Sequence, residues 1–150
     1  MIEVRPMTRG DEPRALELMR ALARFEGYLE DFAVTEGDLA AALASANPPF
    51  RCRLAWSDGV AVGIAVTYRI DWTFDLRPTL VLKELFVEHE ARGSGAGAAL
   101  FAAVEAEARR IGASRIRWLV LAGNDKAKSF YRSMGGRVLG EWEQWELPLG

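Results

Sequence analysis

Residues 79–87 read TLVLKELFV, and after a short polar connection residues 92–97 read RGSGAG and run on into AALFAAVEAEARRIG. The first run is long and mostly apolar, as a strand covered on both faces is, which places it centrally in a sheet. In the last run Leu100, Phe101, Val104, Ala108 and Ile111 recur at helical spacing, and Gly112 follows as a natural stop. Between strand and helix stand three alternating glycines, Gly93, Gly95 and Gly97. A strand that feeds a helix through such a turn aims several backbone N–H groups at one spot. There, unpaired amides and the positive end of the helix dipole favour an anion, and glycine lets a phosphate approach the backbone closely. A tight turn that binds nothing is the alternative.

The rest of the chain is organised around this element. Residues 2–6 alternate apolar with charged side chains, as a short half-buried strand does. Asp11 then caps a helix with Pro13 in its first turn, and Ala15, Leu18, Met19, Leu22 and Phe25 lay one apolar stripe along it to about Glu26. "TEGDLAAAL" predicts a second helix, with Thr35 and Asp38 as a capping-box-like pair. From residue 51 the apolar period changes from about 3.6 to 2. Residues 51–56 and 60–68 read as an antiparallel hairpin around a turn at Ser57, Asp58 and Gly59, and residues 69–78 as a loop. Residues 114–121 read as another buried strand. Asn124 caps a short helix through Met134, stopped by Gly135 and Gly136, and residues 137–147, with Trp142 and Trp145, read as a closing strand. No repeat, linker or low-complexity tract interrupts the chain, so one domain is expected over residues 1–150.

Two familiar phosphate-binding motifs fail on the glycine stretch. The loop of ATPases needs a Lys and a Ser or Thr after its last glycine, where this chain has Ala98 and Ala99. Gly93, Gly95 and Ala98 do satisfy the G-x-G-x-x-G/A dinucleotide fingerprint, but that motif opens a nucleotide-binding fold at its first strand. Here it comes late, with too little chain after it and no acidic residue closing a strand about 20 residues on. A nicotinamide cofactor is therefore a weak alternative. The formal net charge is −2 and the 19 Lys and Arg are scattered, which leaves no basic footprint for nucleic acid. Cys52 is alone, no run approaches the roughly 18 apolar residues of a membrane span, and no signal-peptide pattern opens the chain. A cytoplasmic setting without membrane or nucleic-acid partners is the expectation. No His, Cys or Asp cluster has metal-ligand spacing, so no metal is expected.

The same stretch resembles the Arg/Gln-x-x-Gly-x-Gly/Ala signature of the GNAT superfamily of N-acetyltransferases, through Arg92, Gly95 and Gly97. The strand "LKELFV" before it and the block "NDKAKSFYRSMGG" after it, with Asn124, Phe130, Tyr131 and Gly135, are similar to that family's flanking motifs. Within the superfamily the chain is most similar to the diamine branch, the spermidine/spermine and thialysine acetyltransferases, through Phe25-Glu26 in "ALARFEGY" and through "VTEGDL". The resemblance covers essentially the whole chain. It implies an α/β (α+β) fold: a mixed, mostly antiparallel twisted sheet, splayed at its centre and flanked by helices. It also implies acetyl-CoA as co-substrate, a small-molecule amine as acceptor and a homodimer, which Trp142 and Trp145 could support.

Acetyl transfer to a primary amine sets a chemical requirement. With a pKa near 10.4, only about one amine in 10³ to 10⁴ is neutral at pH 7, and only the neutral form attacks a thioester. The one histidine, His89, lies in a polar connection, so carboxylates are the better proton acceptors. Glu84 stands in the apolar strand, where a charged side chain either faces a pocket or needs a partner such as Lys83. Glu26 is a second candidate, able to greet a cationic substrate beside Phe25, with a solvated helix end as its alternative. The resemblance implies that the amides of Leu85, Phe86 and Val87 lie along the pantetheine arm and thioester. It further implies that Arg92, Gly93, Ser94, Gly95, Ala96, Gly97 and Ala98 cradle the pyrophosphate, with Asn124 and Lys126 as further coenzyme contacts. Tyr131 takes the family's tyrosine position, where its phenol would serve the departing thiolate. Lys83 before Glu84 departs from the acidic pair of the polyamine branch. With Arg53 and Arg69 it suits an acceptor that carries a carboxylate, such as an amino acid, a thialysine-like compound or a peptide amine. A catalytically silent acetyl-CoA-binding module is the competing reading.

Overall fold

The computed structural model describes residues 1–150 as two compact units, Met1–Leu119 and Val120–Gly150. The first unit holds a five-stranded sheet of order β1-β2-β3-β4-β5, formed by Ile2–Pro6, Arg51–Ser57, Val60–Asp71, Pro78–Val87 and Arg115–Arg117. The first four strands pair antiparallel, and β5 alone runs parallel to its neighbour. That last pairing is short: it covers only Thr79, Leu80 and Val81 of β4. Beyond Val81, the β5-facing edge of β4 has no strand opposite it in this unit, which is the splay the sequence resemblance implies.

Helix α1 (Glu12–Glu26) and helix α3 (Ala96–Arg110) cover opposite faces of the sheet. Alternation along β3 shows the division: Ile64 and Val66 join Leu18, Met19 and Leu22 of α1 in one core, while Gly63 meets Leu100 of α3. Leu18, Leu54, Ile64, Leu100 and Val104 are fully buried, each worth about 1.5–3 kcal/mol of transfer from water. Helix α2 (Glu36–Ala44) begins with the expected capping box. The Asp38 N–H donates to the Thr35 hydroxyl at 3.2 Å, and the Thr35 N–H donates to the Asp38 carboxylate at 2.9 Å. The shorter Asp side chain thus closes a box that usually employs Glu. Asp11 does stand at the N-cap of α1, but its carboxylate turns back to accept from the Thr8 N–H and hydroxyl rather than from the helix.

Three boundaries differ from the sequence reading. Residues 69–71 belong to β3, because Arg69, Ile70 and Asp71 pair with Leu80, Thr79 and Pro78 in the ladder that β3 forms with β4. Strand β5 is three residues long rather than eight, since its partner supplies only three positions. In the second unit, taken by itself, helix α4 (Asp125–Ser133) forms as predicted, but residues 137–147 form no strand. A strand exists only through ladder pairing, and within this unit residues 137–147 have none.

Gly63 is where the packing is tightest. A Cβ there would lie 3.0 Å from the Phe86 carbonyl oxygen, 3.0 Å from Leu100 Cδ1 and 3.2 Å from Val87 Cγ2. The carbonyl belongs to the ladder and cannot retreat. Gly63→Ala is therefore expected to lower the unfolding free energy by about 1–3 kcal/mol, measured by urea denaturation.

Candidate active site

The strand β4 carries the candidate chemistry, and its irregularity is what assembles it. Val66 pairs with Glu84 and Thr67 with Leu82, so Lys83 is an extra residue with no partner across the ladder. Adjacent residues of a regular strand face opposite sides of the sheet. The bulge cancels one alternation, and Lys83 and Glu84 both line one pocket of about 270 Å³ on the α1 face. Its other walls are Met19, Phe32, Val34, Phe50, Val66 and Tyr68, with Pro49 at the rim. An apolar chamber with one acid and one base is suited to a small ligand of mixed character.

Glu84 is held in this chamber largely out of water, and its Oε2 oxygen is buried with no hydrogen-bond partner in the protein. Burial raises its carboxyl above the ordinary range; the Lys83 charge draws it down and the Glu26 charge adds to the rise. Glu26, at the end of α1, is likewise raised by burial and drawn down by Lys83. The Glu26 charge thus reaches the Glu84 carboxyl, and Lys83 acts on both. Tyr28, two residues on, was not among the candidates. Its hydroxyl is also buried without a partner, and its phenol is pushed up to about 12 by burial and by the charges of Glu84 and Glu26. A tyrosine just after the glycine that ends a helix reads as an ordinary loop residue, so the sequence gives little signal for it. Cys52, across the sheet from Glu84 by way of Val66, is buried, and its thiol is pushed up to about 12 by burial first and by the Glu84 charge second.

At the far end of β4 the glycine stretch forms the expected strand-to-helix turn. Gly95 is the N-cap of α3 with φ +91°, and Gly93 has φ +81°, conformations that L side chains rarely adopt. Ala99 makes the first intrahelical bond, to the Gly95 carbonyl, which leaves the amides of Gly97 and Ala98 at the open end of the helix. The Ser94 amide is committed to the Ala91 carbonyl at 3.2 Å, so its contribution to an anion cradle is limited to its hydroxyl. Arg92 differs most from a simple anion holder. Its Nε–H donates to the Val87 carbonyl at 3.1 Å, and its guanidinium lies over Phe25 at 5.6 Å and Phe86 at 5.9 Å. It therefore fastens the end of α1 to the end of β4.

Two cations expected to greet a carboxylate do not reach the pocket. Arg53 is ion-paired with Glu107 of α3, itself buried, on the opposite face of the sheet, and Arg69 pairs with Asp71 at 3.0 Å. Lys83 alone of the three lines the chamber. In the second unit Asn124 caps α4, its Oδ1 accepting from the Ala127 N–H at 3.1 Å. Tyr131 lies on the same helix seven residues on, edge-to-face with Phe130 at 5.3 Å, and Lys126 is in its first turn.

A mixed sheet with a glycine turn at the end of its long strand and a buried acid on that strand is the arrangement that the resemblance to the GNAT acetyltransferases implies. Among solved structures, an aminoglycoside acetyltransferase from an uncultured soil metagenomic sample, in complex with sisomicin, superposes with a TM-score of 0.82 over 99% of this chain and 97% of that one, at 18% identity. Residues 16–135 match the profile of the acetyltransferase (GNAT) family, and the chain belongs to that family and is an N-acetyltransferase. It is 31% identical to the thialysine N-epsilon-acetyltransferase of Sus scrofa, over 95% of this chain and 88% of that protein. It is also 29% identical to the L-ornithine N5-acetyltransferase NATA1 of Arabidopsis thaliana, over 61% of this chain and 40% of that one.

Proposed function

We propose that this chain transfers the acetyl group of acetyl-CoA to the primary amine of a small, amino-acid-like molecule by direct attack in a ternary complex. The observation that carries the reading is the buried, unpartnered Oε2 of Glu84 in an apolar chamber with Lys83 beside it. Glu84 takes the proton that the ammonium must lose, and its raised carboxyl makes it a better base than an ordinary glutamate. The Lys83 ammonium receives a carboxylate on the same substrate. Thialysine and ornithine, the substrates named for two relatives, both combine a distal amine with an α-carboxylate.

The acyl donor suits the other half of β4. The strand's open edge beyond Val81 offers backbone groups to the pantetheine arm, and the helix start after Gly95 offers the Gly97 and Ala98 amides to the pyrophosphate. The freed nitrogen lone pair attacks the thioester carbonyl, and negative charge builds on its oxygen. Among Leu85, Phe86 and Val87, whose N–H groups alternate between the β3 ladder and the open edge, those on the open edge are the donors assigned to that charge. The C–S bond then breaks, and the Tyr131 phenol supplies a hydrogen bond or proton to the departing thiolate. A phenol near 10 is a weaker acid than a thiol near 8.5, so hydrogen bonding is its main contribution.

The test is thiol release from acetyl-CoA against thialysine, ornithine, lysine, spermidine, aminoglycosides and short peptides. Release with the diamino acids supports the reading. Silence across the panel, with calorimetry still showing acetyl-CoA binding, would overturn the amino-acid-like acceptor and point to an acceptor outside the panel or to the sensor reading. Lys83→Glu is expected to raise the spermidine-to-thialysine ratio of kcat/KM by about tenfold or more, because like charges across a site repel and opposite ones attract. An unchanged ratio would remove Lys83 from acceptor selection.

A further inference from the structure

The sheet face that floors the acceptor chamber runs on past it. Paired residues of neighbouring strands project to the same side, and Val81 of β4 pairs with Tyr68 of β3 and with Arg117 of β5. Tyr68 is a chamber wall, so Arg117 faces the acceptor side from two strands over. Two residues back along β4, Thr79 joins Ile70 and Arg115 in the same way. Tyr68 and Ile70 are exposed and Val81 is half-buried, so an uncovered strip leads from the chamber to the two arginines.

At the end of this strip Trp72 gathers both guanidiniums. The Arg117 Cζ lies 4.8 Å and the Arg115 Cζ 5.3 Å from its ring centre. A single carboxylate answers them: Asp75, 3.6 Å from Arg115 and already accepting from the Arg77 N–H. Arg117 is half-buried and has no ion pair, and its Nε–H and the Trp72 Nε1–H are enclosed without an acceptor. Arginine is seldom withdrawn from water without a counter-charge, because only pairing offsets the lost solvation. The place therefore carries uncompensated positive charge, and a guanidinium braced on an aromatic ring suits a carboxylate.

We propose that Trp72, Arg115 and Arg117 form a second anion station of the acceptor site, which receives the C-terminal carboxylate of a short peptide whose lysine-like side chain is acetylated. The inference rests on the acceptor site proposed above. From the level of Glu84, Arg117 lies two residues along β3 and one strand across, about 8 Å at the backbone, and Arg115 about 14 Å. A free diamino acid has one carboxylate, and Lys83 meets it. One further residue lengthens the acceptor by about 3.3–3.6 Å, leaves a peptide carbonyl for Lys83 and carries the carboxylate on towards Arg117.

The test compares Nα-acetyl-lysyl-glycine with its C-terminal amide, which lacks the charge that the station receives. With the full chain at saturating acetyl-CoA, kcat/KM for the acid should exceed that for the amide by about tenfold or more, and Arg117→Gln should cut this preference to about twofold or less. Titration with the acid should also shift the Arg117 Nε–H resonance in ¹⁵N NMR, while the amide leaves it in place. Equal kcat/KM for acid and amide in the wild type overturns the inference, as does a preference that survives both Arg117→Gln and Arg115→Gln. The peptide pair and the resonance need no variant, so the test stands even if Arg117→Gln does not fold. A wild type that acetylates neither the peptides nor free lysine sinks the acceptor reading instead. The resonance then decides the station by itself: a shift with the acid alone upholds it, and no shift removes it.

Discussion

Glu84→Gln is expected to lower amine-dependent acetyl transfer by about 10²–10⁴-fold, the range a positioned general base supplies. The same substitution should make the protein more resistant to heat at pH 8. The sign follows from the raised carboxyl. A folded-state value above the unfolded one means that Glu84 favours folding while protonated, below the ordinary glutamate range. That contribution is lost as the pH rises through the folded value, and at neutral pH the buried anion is carried at a cost. Gln is neutral at every pH, so the Tm advantage of the variant should be largest at pH 8 and shrink towards pH 4. Scanning calorimetry across that range, alongside thiol release at saturating acetyl-CoA, reads both effects. A variant that retains turnover would move the base elsewhere, with Glu26 the next candidate. One with no pH-dependent gain would mean that Glu84 is better solvated than its burial indicates.

Tyr131→Phe is expected to reduce kcat by about 10²-fold while leaving acetyl-CoA affinity unchanged by calorimetry. The substitution deletes one oxygen from an aromatic residue of α4 and preserves the ring that meets Phe130 edge-to-face. The helix and its Asn124 cap should therefore survive. If turnover falls with binding intact, the phenol acts on the reacting atoms. If both fall together, the hydroxyl is holding the coenzyme. Unchanged turnover would remove Tyr131 from the chemistry and direct attention to solvent as the group that protonates the thiolate.

The parts of this protein legible in its sequence are those written locally. The apolar stripe from Ala15 to Leu22, the Thr35 and Asp38 box, the turn between β2 and β3 and the glycines before α3 each carry their signal within a few residues, and each forms as expected. Glu84 was legible because a charge in an apolar strand is costly without a purpose. The bulge at Lys83 was not, since it exists only in the register between β4 and residues of β3 far away in the chain. For the same reason the sequence could not tell that Arg53 faces α3 and is taken by Glu107, or that Lys83 shares a face with its neighbour. Arg69 and Asp71 look like loop residues because they are polar, yet an edge of existing ladder is enough to extend them. Tyr28 escaped notice because unsatisfied hydrogen bonding is a property of surroundings and never of spelling.

The single cysteine has a practical bearing on all of these measurements. Released coenzyme A is conveniently followed with aromatic disulfide reagents, whose background is set by the enzyme's own thiols. Cys52 is buried and held as the unreactive thiol, its titration pushed to about 12 by burial and by Glu84. The folded protein should therefore be chemically silent to such reagents, so that colour in the assay comes from product alone. Its one equivalent of slow reaction would then time the opening of the core, giving each variant an internal clock for unfolding in the cuvette that measures its turnover.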